Sequence, residues 1–171
     1  LYAIFPDRSF TFAELDREAR AWARALHAQG VRAGDHVATM MPNCAEWPPV
    51  YFGALYLGAV VVALNARYKR HELRYTLAHS RSKILVTTDS ISEHVDYAEL
   101  LADVLPGLAG QDPRALSFEA APDLRAIVLC AGRDIPGMQT ASSFLAAGAS
   151  TAEDEALAGG AARRVRDTAA I

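Results

Sequence analysis

The sequence predicts an α/β fold, a mostly parallel sheet with helices on both faces. Three observations predict it. Val60-Val61-Val62-Ala63-Leu64 is wholly apolar and mostly β-branched, the mark of a strand covered on both sides. Runs of this kind alternate with segments whose apolar residues recur at helical spacing, the pattern of β-α-β units with right-handed crossovers. Gly30 and Gly58 stand where two of those helices should stop, because a left-handed residue ends a helix at least cost when it has no Cβ.

Taken in order, Tyr2-Ala3-Ile4-Phe5 and the turn at Pro6-Asp7 read as a short strand pair. Thr11 and Glu14 form the Thr-x-x-Glu of a capping box, and Phe10 and Leu15 occupy the positions of a hydrophobic staple. Leu15, Ala19, Trp22 and Leu26 then make one apolar helix face, ended by Gly30. After the turn Ala33-Gly34-Asp35, residues His36 to Met41 read as the first buried strand. Pro42-Asn43 breaks it, and Asn43 with Glu46 offers a cap. Pro48 and Pro49 each remove an intrahelical donor, so the regular helix should start near Trp47, keep the prolines in its first turn, and run to Leu57.

Val60 to Leu64 is the second strand, His71 to His79 a helix with Leu73 and Leu77 inward, and Lys83 to Thr87 the third strand. Ser90 is expected to cap a helix carrying Ile91, Val95, Leu101 and Leu105, ending at Pro106-Gly107. Residues 107 to 123 read as irregular and Arg125 to Cys130 as a fourth strand. A loop over Gly132 to Gly137 precedes a short helix at Ser142 to Ala147. A further helix should start at Ser150-Thr151-Ala152-Glu153 and break at Gly159-Gly160, with Gly148 to Ala162 a surface excursion. Asp167 to Ile171 reads as a strand entered and cut off.

With 171 residues the chain suits one domain with a sizeable core. A net charge of -3 argues against nucleic acid as a partner. Charge is unevenly placed: Arg67, Lys69, Arg70, Arg74, Arg81 and Lys83 are relieved locally only by Glu72. An acidic stretch from Asp89 to Asp123 is opposed only by Arg114. Two solvated faces of opposite sign explain this most simply, although the basic stretch can also meet an anion such as the phosphates of a nucleotide or of CoA. Cys44 and Cys130 lie far apart, as in a protein of a reducing cytosol, and no apolar run nears the ~18 residues of a membrane span. Leu1 is not an initiator Met, and the start reads as trimmed.

The searches for chemistry find no Gly-x-Gly-x-x-Gly after a strand, no Gly-x-x-x-x-Gly-Lys and no Gly-x-Ser-x-Gly. His71-Glu72-Leu73-Arg74-Tyr75 begins like a zinc-protease helix, but Tyr75 stands where the second imidazole is needed. His27, His36, His71, His79 and His94 are scattered without a relay partner, and Trp22 and Trp47 read as packing residues. No catalytic residue and no metal ligand is therefore named, and no cofactor-binding residue is identified.

Three blocks in series carry a resemblance. They are Phe10-Thr11-Phe12-Ala13-Glu14-Leu15; Gly34-Asp35-His36-Val37-Ala38 with Pro42-Asn43 and Glu46-Trp47; and Gly58 to Asn65 followed by Arg67-Tyr68 and Glu72-Leu73. Over about the first 90 residues the chain resembles the adenylate-forming (AMP-dependent synthetase/ligase) superfamily, in its acyl-CoA synthetase form. Asp167 to Ile171 resembles the strand just before that family's Ser/Thr/Gly-rich phosphate loop.

The resemblance implies that residues 1–171 form one lobe of the family's large N-terminal domain, truncated before the phosphate loop and without the C-terminal domain. It implies a parent enzyme that takes a carboxylic acid, ATP, Mg and CoA, with none of these bound by this segment alone and the segment itself inactive. Asn65-Ala66-Arg67-Tyr68 favours a CoA ligase over a peptide-synthetase domain, where a proline and an acidic residue usually close the motif. An acyl-AMP ligase serving a carrier protein, a non-catalytic α/β binding or assembly module, and a flavodoxin-like binding domain stay open beside it. The particular acid and the oligomeric state are not legible.

Overall fold

A computed structural model of the chain describes residues 2–89, 96–130 and 133–171. A two-stranded antiparallel hairpin, β1 (Ala3–Ile4) and β2 (Ser9–Phe10), leads into α1 (Phe12–Ala28). The expected capping box is present: the Glu14 amide donates to Thr11 Oγ1 at 3.2 Å, and the Thr11 amide donates to Glu14 Oε2 at 2.8 Å. Phe10 and Leu15, the staple pair, are buried together with Ala45. Gly30 follows the helix at φ +86.

The main sheet is built from β3 (His36–Met40), β4 (Val60–Ala63), β5 (Ser82–Thr87), β6 (Ala126–Leu129) and β7 (Gln139–Thr140). All neighbours are parallel, in the order β4-β3-β5-β6-β7. The chain's last residues add to the β4 edge: Ala170 bridges Val61 in parallel, and the Val61 amide donates to Ala169 O at 2.9 Å. The strand expected over Asp167 to Ile171 is thus realised as a short bridge. Strand β7 falls in the gap between the loop expected up to Gly137 and the helix expected from Ser142, where no element is expected; two residues without β-branched apolar character carry no strand signal of their own.

Helices cover both faces, as expected. On one side α1, α2 (Trp47–Tyr56), α5 (Ala141–Ala147) and α6 (Glu153–Ala161) supply Leu26, Val50, Phe144 and Ala156 against Val37, Val61, Ile84 and Val128 of the sheet. On the other, α3 (Arg70–His79) and α4 (Tyr97–Val104) supply Leu73, Leu77 and Leu101 against Ala38, Val62, Leu85 and Ile127. Val61 and Val62 therefore point into opposite cores, which explains the uninterrupted apolar run.

The structure corrects some local expectations and leaves others outside the described residues. Helix α2 starts at Trp47 with the prolines in its first turn, but Glu46 at its N-cap makes no side-chain cap bond. Helix α4 is capped by Asp96, whose carboxylate accepts from the Ala98 and Glu99 amides at 2.9 and 3.1 Å. Ser90, Ile91, Val95 and His94 lie outside the described residues, as does Gly132. Helix α6 runs through Gly159-Gly160 and docks with Ala156 buried, while more than half of residues 148–162 stay exposed. These glycines are packing devices: a Cβ on Gly159 would lie 2.6 Å from Leu57 O.

Candidate functional site

Parallel strands give a sheet two chemically distinct edges, and in open α/β sheets ligands bind outside the carboxyl ends of the strands. The pairings Met40↔Thr87, Thr87↔Leu129 and Leu129↔Thr140 put the segments after β3, β5, β6 and β7 on one such edge, with Asn65 following β4 there. This edge gathers Asn43 to Trp47, Asn65 to Lys69, Thr88, Asp89 and Cys130.

The exit loop after β4 is held from within. Asn65 Oδ1 accepts from the Arg67 amide at 2.9 Å, and the Tyr97 hydroxyl donates to Ala66 O at 2.8 Å. The Lys69 amide donates to Glu72 Oε2 at 3.1 Å, which secures the start of α3. Arg67 and Lys69 are exposed, and neither side chain has an ion-pair partner among the described residues.

Cys44 and Cys130 converge at this edge around Glu46, although 86 positions separate them in sequence. Burial pushes the Cys44 thiol up to about 11, and its hydrogen bond to the Glu46 carboxylate adds to the rise. Burial also raises Cys130, reinforced by the nearby Glu46 charge and by Cys44. Burial and the Glu46 charge thus both oppose ionisation of these half-buried thiols, which slows attack by them near neutral pH. Sequence distance hid this cluster. Beside it, Arg133 joins two loops, donating to Asp96 Oδ2 at 2.7 Å and pairing with Asp89 at 3.5 Å. The Arg133 ion pair holds the Asp96 carboxyl below its ordinary value.

The basic stretch does not stay together. Helix α3 returns across the sheet, so Arg67 and Lys69 sit at the carboxyl edge while Arg81 and Lys83 sit at the amino edge. Arg70 pairs with Asp103 of α4, and Lys83 Nζ reaches Asp35 Oδ2 at 2.6 Å. Charges that looked unrelieved in sequence are therefore partly paired in space. His36 Nδ1 donates to Ser80 O at 2.5 Å, and His79 Nδ1 to Tyr75 O at 2.7 Å with the two rings stacked. His27 is buried 3.9 Å from Glu155, and Trp22 packs on Phe144. Among the described residues no group of three His, Cys, Asp or Glu stands close enough to hold a metal ion. No helix in them is long and apolar enough to cross a membrane.

Comparison with known proteins gives concordant results. The family model described as AMP-binding enzyme matches residues 1–133. YngI of Bacillus subtilis, a protein named for acyl-CoA synthetase activity, is 33% identical over 137 residues, which is 79% of this chain and 25% of YngI. The 2-succinylbenzoate–CoA ligase of Oceanobacillus iheyensis is 37% identical over 98 residues, 54% of this chain and 20% of the ligase. Among solved structures, the anthranilate CoA ligase AuaEII in complex with anthranoyl-AMP superposes with a TM-score of 0.66 at 26% identity, covering 82% of this chain and 24% of that one. A Mycobacterium tuberculosis fatty acyl CoA synthetase superposes with a TM-score of 0.55 at 26% identity, covering 85% and 24%. The chain spans about a fifth to a quarter of the length of these relatives.

Proposed function

Because the chain belongs to the AMP-binding enzyme family, we propose that it is the N-terminal lobe of an AMP-forming acyl-CoA synthetase working in the cytoplasm. In that reaction a carboxylate oxygen attacks the α-phosphorus of ATP and pyrophosphate leaves, giving an acyl-adenylate. The CoA thiol then attacks the acyl carbonyl, a thioester forms, and AMP leaves with the bonding pair. The observation that carries the reading is the family match over residues 1–133 on a sheet whose fold agrees with CoA ligases.

In this reading no step of adenylation is assigned to residues 1–171. What they offer is architecture and one charged loop. The capped α1, the doubly covered β4 and the glycine stops build a rigid wall. Arg67 and Lys69, exposed at the carboxyl edge and without an ion-pair partner among the described residues, fit the phosphates of CoA or of a nucleotide, because guanidinium and ammonium groups pair with phosphate oxygens. In this reading the phosphate loop and the remaining catalytic motifs belong to sequence following Ile171, and residues 1–171 by themselves do not turn over.

A pyrophosphate-release assay of the full-length protein with carboxylic acids of graded chain length tests the proposal. Release that depends on the acid, and that continues over many turnovers only when CoA is present, supports it. No release with any acid overturns it. Acid-dependent release with acyl transfer to a carrier protein but not to CoA would make the parent an acyl-AMP ligase.

A further inference from the structure

The amino edge of the sheet carries a second polar cleft, remote from the carboxyl edge. A cavity of about 170 Å³ lined by Gly34, Asp35, His36, Arg81, Lys83 and Asp123 shares Gly34 and His36 with a wider recess of about 500 Å³. Arg163, Arg166 and Asp167 line that recess. Topology explains the gathering, since Asp35, Arg81, Asp123 and Arg166 each precede a strand of one parallel sheet. In a chain of net charge -3, Arg81 and Lys83 thus line the smaller cavity, and Arg163 and Arg166 line the wider recess that adjoins it at Gly34 and His36.

Several of these charges are already committed. Asp35 Oδ2 accepts from Lys83 Nζ at 2.6 Å and from the Arg32 amide at 2.7 Å. Arg163 donates to Gly58 O through Nε at 3.1 Å and Nη2 at 2.8 Å, and lies 3.8 Å from Asp167. Arg81 and Arg166 are different: both are exposed, and neither side chain has a hydrogen-bond or ion-pair partner among the described residues. Asp123 is the one acid of the cleft without such a partner among them, so the uncommitted groups sum to a positive charge.

Arg81 carries two further observations. It adopts φ +54, and among the described residues it is the sole non-glycine with positive φ. It stands just after the C-cap Ser80 of α3, the left-handed position where glycine is the ordinary residue. A side chain kept where backbone preference opposes it points to use of that side chain. The hydroxyls on either side, Ser80 Oγ and Ser82 Oγ, are buried with no partner among the described residues, which is uncommon in native structures.

We propose that this amino-edge cleft binds the phosphate group of a small molecule, with the Arg81 guanidinium contacting it from the smaller cavity and the Arg166 guanidinium from the adjoining recess. Concavity favours a small ligand over a flat macromolecular surface, and the planar fork matches a tetrahedral oxyanion. The site is separate from the ligase reading and stands or falls without it.

The test is a titration of the 171-residue chain with inorganic phosphate, followed by backbone amide NMR. The expected result is saturable shifts centred on Gly34, His36 and Arg81, with affinity at least tenfold weaker in Arg81→Gly and in Arg166→Ala and unchanged in Arg17→Ala. Arg81→Gly keeps the test clean, because glycine adopts the left-handed backbone freely and the variant should melt at or above the parent's midpoint. Parallel titrations with pyrophosphate and AMP identify the carrier of the phosphate by which of the three binds most tightly. Absence of saturation by all three, shifts confined to the carboxyl edge, or parental affinity in both arginine variants would overturn the proposal.

Discussion

Gly160 lies so close to the backbone of Tyr56 that a Cβ built on it would stand 2.0 Å from the Tyr56 carbonyl oxygen. This contact lets α6 lie against the end of α2. It also sets up the Arg163 bonds to Gly58 O and the approach of Ala169 to β4. Gly160→Ala should therefore destabilise the chain by about 1–3 kcal/mol, the usual cost of overpacking. Gly110→Ala, where a Cβ meets nothing within 4 Å, should change stability by less than about 0.5 kcal/mol. Urea midpoints of the two variants check the contrast.

Thr11→Ala removes the oxygen that accepts from the Glu14 amide and half of the reciprocal cap. The expected loss is about 1 kcal/mol, with Thr11→Ser recovering most of it. Equal midpoints for Thr11→Ala and the parent would show that the cap contributes nothing.

Asp16 accepts from Arg20 Nε at 2.8 Å and from the Tyr56 hydroxyl at 2.7 Å, and these bonds hold its carboxyl below the ordinary value of 3.8. A depressed carboxyl contributes stability that is fully present above its unfolded pKa and disappears as pH falls through the folded one. Urea midpoints should therefore hold from pH 7 to about 5 and decline below about 4. The decline should be shallower in Asp16→Asn. The contribution is modest because the pair is partly exposed.

Cys44 and Cys130, with thiols raised by burial and by Glu46, should alkylate slowly in the folded protein at pH 7.5 and quickly once it is unfolded. Iodoacetamide labelling resolved by mass spectrometry reads both sites. Native labelling at the rate of an unstructured cysteine would contradict the buried, neutral state.

In the full-length protein, Arg67→Ala should raise KM for CoA by about tenfold while leaving acid-dependent ATP–pyrophosphate exchange near the parent's rate. Loss of the exchange reaction with KM for CoA intact would remove Arg67 from thioester formation.

The elements that read correctly from sequence are those decided within a few residues. Thr11 caps α1 because Glu14 is three positions on, and Val60 to Ala63 is a strand because its side chains are apolar on both faces. Histidine and cysteine chemistry was much less legible. No local spacing shows that Cys130 meets Glu46, or that one basic stretch divides between two edges.

By itself the sequence determined the order and type of most elements, the Thr11 cap and the glycine stops at Gly30 and Gly58, and the family resemblance over the first 90 or so residues, since each rests on short-range backbone preference or a contiguous motif. Tertiary structure alone decided the strand order, the place of β7, the passage of α6 through Gly159-Gly160 and the gathering of arginines at the amino edge. Those depend on which distant segments pack together. The glycine pair shows why: read alone it breaks a helix, but against Leu57 and Tyr56 the missing side chains are what allow the helix to dock.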